Sequence, residues 1–205
     1  MFRRFPPILW ALLVLAGAGM AVGLWLLQRA PAPPPVLGAV PDFSLTERSG
    51  RTVRRADLDG QPWVADFIFT RCTGMCPALS TQMREVRRRA GEAGLAARFV
   101  SFSVDPTHDT PAVLAEYAPR FGAGDDWLFL TGPRDALYGL IGAGFKLSVA
   151  ERSAEAVAQG GELIAHSDRF VLVDGEGRIR GYYHGTDAAM PDQLLRDLAG
   201  LAAGG

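Results

Sequence analysis

The chain has 205 residues, 48% of them hydrophobic and 21% charged, with a formal net charge of −1 and two cysteines. That hydrophobic fraction with so little net charge excludes a disordered chain, and two cysteines close at most one bridge, which excludes a disulfide-built mini-protein. With 21 basic against 22 acidic residues, no global excess of positive charge exists to draw nucleic acid.

The averages conceal a division. Ile8 to Leu27 is a run of 20 residues without a charge, the length a bilayer core requires at about 1.5 Å rise per residue. Arg3 and Arg4 precede the run, and only Arg29 follows it closely. The positive-inside rule then places residues 1–7 in the cytoplasm and the rest of the chain beyond the membrane; the expected location is a single-pass protein of a bacterial-type inner membrane with its soluble domain on the periplasmic side. A cleaved signal peptide is the alternative, but its apolar core is usually about 7–15 residues. No convincing small-x-small cleavage site followed by a clear mature start comes after the run, so 8–27 is expected to be an uncleaved transmembrane anchor, with Trp10 and Trp25 near its two ends. Residues 28–39 contain Ala30-Pro31-Ala32-Pro33-Pro34-Pro35, a stiff extended spacer. All 22 acidic residues and 18 of the 21 basic ones follow Pro35, a net of −4 and an ordinary soluble surface. The remaining 40–205 is long enough to bury a core of its own.

Along that domain, Phe43–Thr46 and Arg51–Val53 predict a small hairpin. Trp63–Phe69 is almost continuously apolar, the pattern of a strand buried on both faces. Leu79, Met83, Val86 and Ala90 fall at helical spacing, which predicts a helix over Cys76 to Glu92. Its other face carries Arg84, Arg87, Arg88 and Arg89, read as a solvated face rather than a docking patch. Phe99–Val104 is a second buried strand, and Thr110-Pro111 opens a helix with a side-chain cap and a first-turn proline. Trp127–Leu130 reads as a strand, Arg134–Ile141 as a short helix and Phe145–Val149 as a short strand. Arg169–Val173 and Arg178–Tyr183 flank the turn Asp174-Gly175-Glu176-Gly177, a hairpin. Asp192–Ala203 closes the chain as an amphipathic helix. Strands alternating with helices and ending in a hairpin predict an α/β domain with a central mixed sheet.

Both cysteines lie in Thr70-Arg71-Cys72-Thr73-Gly74-Met75-Cys76-Pro77. Cys72 follows a predicted strand and Cys76 opens a predicted helix, where unpaired N–H groups and the helix dipole favour thiolate over thiol. Arg71 adds positive charge nearby. Thiolate is the form that attacks disulfides and binds metals. The C-x-x-x-C spacing can close as a disulfide or splay two sulfurs around one ion. Two thiolates suit Cu(I), which accepts low coordination numbers, whereas zinc normally takes four ligands. An ordinary stabilising disulfide is the plainer alternative, although a bridge over so few residues constrains the unfolded chain little. A third ligand would come from His108, His166 or His184, and spacing does not choose among them.

Four stretches resemble the Sco/SenC family of membrane-anchored copper chaperones. They are Pro41-Asp42-Phe43-Ser44-Leu45-Thr46 with Asp57–Pro62; Phe67-Ile68-Phe69-Thr70-Arg71-Cys72 through Cys76-Pro77; Ser103-Val104-Asp105-Pro106 with Asp109-Thr110-Pro111; and His166-Ser167 before Phe170-Val171-Leu172-Val173-Asp174. The first is shared with other thioredoxin-like proteins, and the other three together are specific. The resemblance implies a thioredoxin-like three-layer fold, with Cys72, Cys76 and His166 as ligands of a copper ion. It implies delivery of copper to the dinuclear centre of cytochrome c oxidase subunit II, or preparation of that centre, with a copper donor protein and a thiol reductant as further partners. Some members are held to reduce that subunit's cysteines, so the alternative is a tethered thiol–disulfide oxidoreductase with Cys72 and Cys76 as its redox-active pair. Two features depart from the family pattern. Arg71 stands where a histidine is common, and Thr73-Gly74-Met75 replaces a stiffer acidic loop. A peroxiredoxin is disfavoured because the threonine three residues before Cys76 lacks the supporting arginine that chemistry needs.

Overall fold

The computed structural model describes residues 7–27, 32–151 and 164–203. The chain divides into two compact units, Met1–Pro31 and Ala32–Gly205. In the first, α1 (Pro7–Leu27) is one continuous helix with Ile8, Trp10, Leu12, Leu13, Val14, Leu15 and Met20 exposed. Among the described residues, no helix meets the combined length and hydropathy required of a membrane span.

The second unit is a mixed α/β fold. Its strands are β1 (Gly38–Ala39), β2 (Ser44–Glu47), β3 (Thr52–Arg54), β4 (Trp63–Ile68), β5 (Arg98–Ser103), β6 (Trp127–Thr131), β7 (Val149–Glu151), β8 (Ile164–His166), β9 (Arg169–Val173) and β10 (Arg178–His184). Its helices are α2 (Met75–Glu92), α3 (Pro111–Tyr117), α4 (Arg134–Gly139) and α5 (Met190–Ala203). Eight strands form one sheet in the order β1-β10-β9-β4-β5-β6-β2-β3, and β7 and β8 form a separate pair.

β4 is the hub: it runs parallel to β5, with Trp63 opposite Arg98, and antiparallel to β9, with Trp63 opposite Val173. All six of its residues are buried, which is why its sequence is a near-continuous apolar run rather than an alternating one. Pleating sends Trp63 and Phe67 to one face, where they pack with Phe102 and Phe145 at ring-centroid distances of 5.1–6.4 Å. α3 lies on the other face. Its Tyr117 packs on Phe129, which stacks with Trp127, and the Trp127 Nε1–H donates to Ser101, the neighbour of Phe102. The Tyr117 hydroxyl is 3.0 Å from Ser80 Oγ, which places α2 on that face as well. Helical structure on both faces of the sheet makes three layers.

Most predicted elements stand where periodicity puts them, within a residue or two. The Thr110 hydroxyl accepts from the Val113 N–H at 3.4 Å and Pro111 opens α3, as expected. The expected strand over Phe145–Val149 is absent. α4 runs instead into a π-helical turn, Leu140–Gly144, which delivers Phe145 into the aromatic core. Lys146 then turns back at φ 56°, so extended backbone begins only at Val149. Three of the four arginines on the outer face of α2 pair with carboxylates of the same chain: Arg87 with Asp126, Arg88 with Glu85 and Glu92, and Arg89 with Asp192. That is a solvated face, as read from the sequence.

Candidate metal centre

β4 ends at Ile68, and the chain reaches the first turn of α2 through a loop that carries both cysteines. Cys76 is fully buried and Cys72 is 7% exposed. α2 starts without a side-chain cap, because its N-cap is Gly74. The open N–H groups of a helix start need acceptors, and here sulfur supplies one: the Cys76 N–H donates to Cys72 Sγ at 3.1 Å. The Phe69 N–H, at the end of β4, donates to Cys76 Sγ at 3.5 Å. Each sulfur therefore accepts a backbone N–H at the positive end of a helix, an arrangement that favours charge on sulfur. Pro77 follows Cys76 without loss, since first-turn N–H groups have no partner inside the helix.

Arg71, expected to add charge beside the sulfurs, is engaged by a carboxylate. Its Nε and Nη2 donate to Asp105 Oδ2 at 3.0 and 2.5 Å. Thr70 is held by Asp109. Burial pushes the Asp109 carboxyl above its ordinary value, and hydrogen bonds from Thr70 and Ser103 pull it part of the way back. Beneath the loop, burial pushes the Tyr117 phenol up; Ser80 opposes this, while Cys76, Asp66 and Cys72 add to it. Met75 packs against the core, which fits a side chain covering the site.

Of the three histidines, His108 is exposed in the turn before α3. His184 Nδ1 lies 3.1 Å from Asp168, which also accepts the Thr186 hydroxyl at 3.0 Å. His166 ends β8, with its backbone opposite Val149, and its side chain lies outside the described residues. Gly185 ties that strand junction to α2. Its N–H donates to the Asp168 carbonyl at 2.9 Å, and a Cβ there would sit 2.3 Å from the Leu79 side chain. Leu79 is one helical turn beyond Cys76, so the start of β9 and the cysteines share one end of the sheet. Among the described residues, no group of three or more His, Cys, Asp and Glu side chains is placed to hold a metal.

The SCO1/SenC family pattern matches residues 34–203. The chain belongs to the SCO1/SenC family. A SCO1/SenC family lipoprotein of Bacillus anthracis is 30% identical, and the match covers 83% of this chain and 99% of that one with a TM-score of 0.76. BsSco, described as a Sco family cytochrome c oxidase assembly protein with a disulfide switch, is 26% identical over 85% of this chain and 99% of its own, with a TM-score of 0.72. ScoI of Bradyrhizobium japonicum, solved with copper bound, is 24% identical over 80% and 99% of the two chains, with a TM-score of 0.66; that likeness speaks to the fold. The thioredoxin-like architecture expected from the Sco resemblance is the one these structures share. Thr70, Ser103, Asp105 and Asp109 are the residues at the site that sequence reasoning did not assign, although the Sco-like S-V-D-P-x-x-D-T-P stretch marked three of them.

Proposed function

We propose that this protein is a membrane-anchored copper-binding factor in cytochrome c oxidase assembly. In this reading Cys72, Cys76 and His166 hold the ion, and its destination is the dinuclear copper centre of subunit II. The observation that carries the reading is the pair of sulfurs at the start of α2, each accepting a backbone N–H. Two thiolates at one helix start are soft donors for Cu(I), and the fold is one in which a relative is solved with copper bound. Transfer proceeds by ligand exchange onto a partner's cysteines, each new Cu–S bond replacing one to Cys72 or Cys76. The uncharged run 8–27, with Arg3 and Arg4 before it, supports an anchor whose amino end is cytoplasmic and whose copper domain is periplasmic. Confining both proteins to one surface raises their encounter frequency. A copper donor and a thiol reductant are required to load the site and keep it reduced.

Titration of the detergent-solubilised full chain with Cu(I) tests this. About one copper per reduced chain is expected, with binding lost in Cys72→Ser; unchanged stoichiometry in that variant sinks the proposal. Carbonate extraction of membranes tests the anchor, since the protein is expected to stay in the pellet.

A second reading is favoured by the short link between the two cysteines and by the disulfide switch described for BsSco. In it, Cys72 and Cys76 form a redox pair that reduces a partner's disulfide and is itself oxidised to a Cys72–Cys76 bridge. His166→Ala separates the two, because copper retention collapses under the first while disulfide reduction survives under the second.

A further inference from the structure

Thr70 and Arg71 lead directly into Cys72, and one turn holds them both. Asp109, fully buried, receives the Thr70 N–H at 3.2 and 3.3 Å, the Thr70 hydroxyl at 2.5 Å and the Ser103 hydroxyl at 2.7 Å. Ser103 is fixed in turn by the Asp105 N–H, which donates to its oxygen at 3.0 Å. The Asp109 and His108 N–H groups donate to the Asp105 carbonyl at 2.8 and 3.0 Å. Asp105 closes the arrangement by accepting Arg71. Among the described residues no cation pairs with Asp109, so its desolvation is offset by donors alone. Two of those three donors belong to Thr70, two residues before the first cysteine.

We propose that Asp109 is a positioning residue for the cysteine pair, acting through Thr70. Thr70 is pinned by backbone and side chain at once, which fixes where the chain leaves β4. That in turn places Cys72 Sγ over the Cys76 N–H at the uncapped start of α2. Asp105 holds the next residue by its side chain, so the loop is restrained on two consecutive residues before either sulfur is reached. Asp109 acts through its bonds to Thr70 and Ser103; its effect is on how often the loop opens and how well the two sulfurs are aligned. The consequence for copper affinity rests on the copper reading above, whereas the consequence for thiol accessibility does not.

The test uses the full chain with three variants. Thr70→Val keeps the shape and the backbone N–H but removes the hydroxyl. Thr70→Ser keeps the hydroxyl. Asp109→Asn keeps the shape but presents an amide N–H₂ to groups that are themselves donors. The metal-free readout is the rate of iodoacetamide alkylation of the cysteines, which reports local opening when global stability is held. Thr70→Val is expected to raise it about tenfold, as loss of one charge-assisted hydrogen bond implies. Asp109→Asn raises it further, and Thr70→Ser stays within about twofold of wild type. Cu(I) affinity, measured by competition with bicinchoninate, falls in the same order and recovers in Thr70→Ser. Wild-type alkylation in Thr70→Val overturns the proposal. So does failure of Thr70→Ser to restore it, or a drop in urea-unfolding stability large enough to account for the faster alkylation. If wild type binds no Cu(I), the copper reading fails while the alkylation series still decides the role of Asp109.

Discussion

Two buried aspartates stand at opposite ends of β4, separated by its six residues, about 20 Å, and they are stabilised by different means. Asp174, where β9 turns toward β10, is 5% exposed and meets two guanidiniums: Arg178 Nε at 2.8 Å and Arg180 Nη1 at 2.7 Å. Burial pushes it up, but those cations and two backbone N–H groups win and hold it below the usual carboxylate range. Arg180 reaches on to the Pro34 carbonyl, so the same cluster fixes the point where the chain joins the sheet edge. Asp109, at the cysteine end, is paired with hydrogen-bond donors rather than with a cation among the described residues, and burial, with the nearby Asp105, holds it above its ordinary value. One end is braced by paired charge. The other carries a buried carboxylate without a cation beside a reactive loop, a costlier arrangement whose return is placement of the thiols.

The largest effect is expected in Asp174→Asn. Removing the buried carboxylate shared by the largely buried Arg180 and the half-exposed Arg178 is expected to cost about 3 kcal/mol in urea unfolding, with cysteine alkylation unchanged under native conditions. A cost below about 1 kcal/mol would mean that the cluster is not a brace. Gly185→Ala comes next, at about 2 kcal/mol by thermal or urea unfolding. A Cβ there would lie 2.7 Å from the Phe170 ring and 2.8 Å from the Asp168 carbonyl, a backbone atom with little room to move. This substitution forces apart α2 and the strand junction that carries His166, so it sharpens the claim that both belong to the cysteine end.

Acid titration gives a smaller effect with opposite signs at the two ends. Asp174 has a lowered folded value, so its stabilisation is complete above about pH 4, the unfolded value, and is lost as pH falls through the folded one. Asp109 has a raised folded value, so the folded state binds its proton first. Its contribution therefore improves as pH falls through that raised value toward about pH 4. The stability gap between wild type and Asp174→Asn should close on acidification, while the gap between wild type and Asp109→Asn should widen; parallel curves would refute the contrast. The smallest effect belongs to the solvated face of α2, where Arg89→Ala is expected to leave the melting temperature unchanged, since an exposed pair such as Arg89–Asp192 adds little.

The sequence made the local features readable and hid the distant ones. β4 and the buried face of α2 declare themselves because burial on both faces, or on one helical stripe, writes itself into neighbouring residues. β1 does not: Gly38–Ala39 is two residues within the proline-rich stretch, and it is a strand only because Ile179 and Arg178 lie beside it. The stretch after Leu140 reads as helix and then strand, yet Phe145 is required in the aromatic cluster with Trp63, Phe67 and Phe102, and a π turn is how the backbone delivers it. At the site, Cys72 and Cys76 are legible because strand, loop and helix start are contiguous. That Thr70 belongs to Asp109, 39 residues away, and Arg71 to Asp105, 34 residues away, follows only from the β4–β5 register.

In the proposed reading, the cysteine end of the sheet is a copper site built from Cys72, Cys76 and His166. X-ray absorption at the copper edge of the Cu(I)-loaded full chain tests it most directly. Two sulfur scatterers and one nitrogen are expected in the wild type, with the bound copper itself lost from Cys76→Ser and from His166→Ala. Copper bound without sulfur, or a spectrum indifferent to both substitutions, would contradict it.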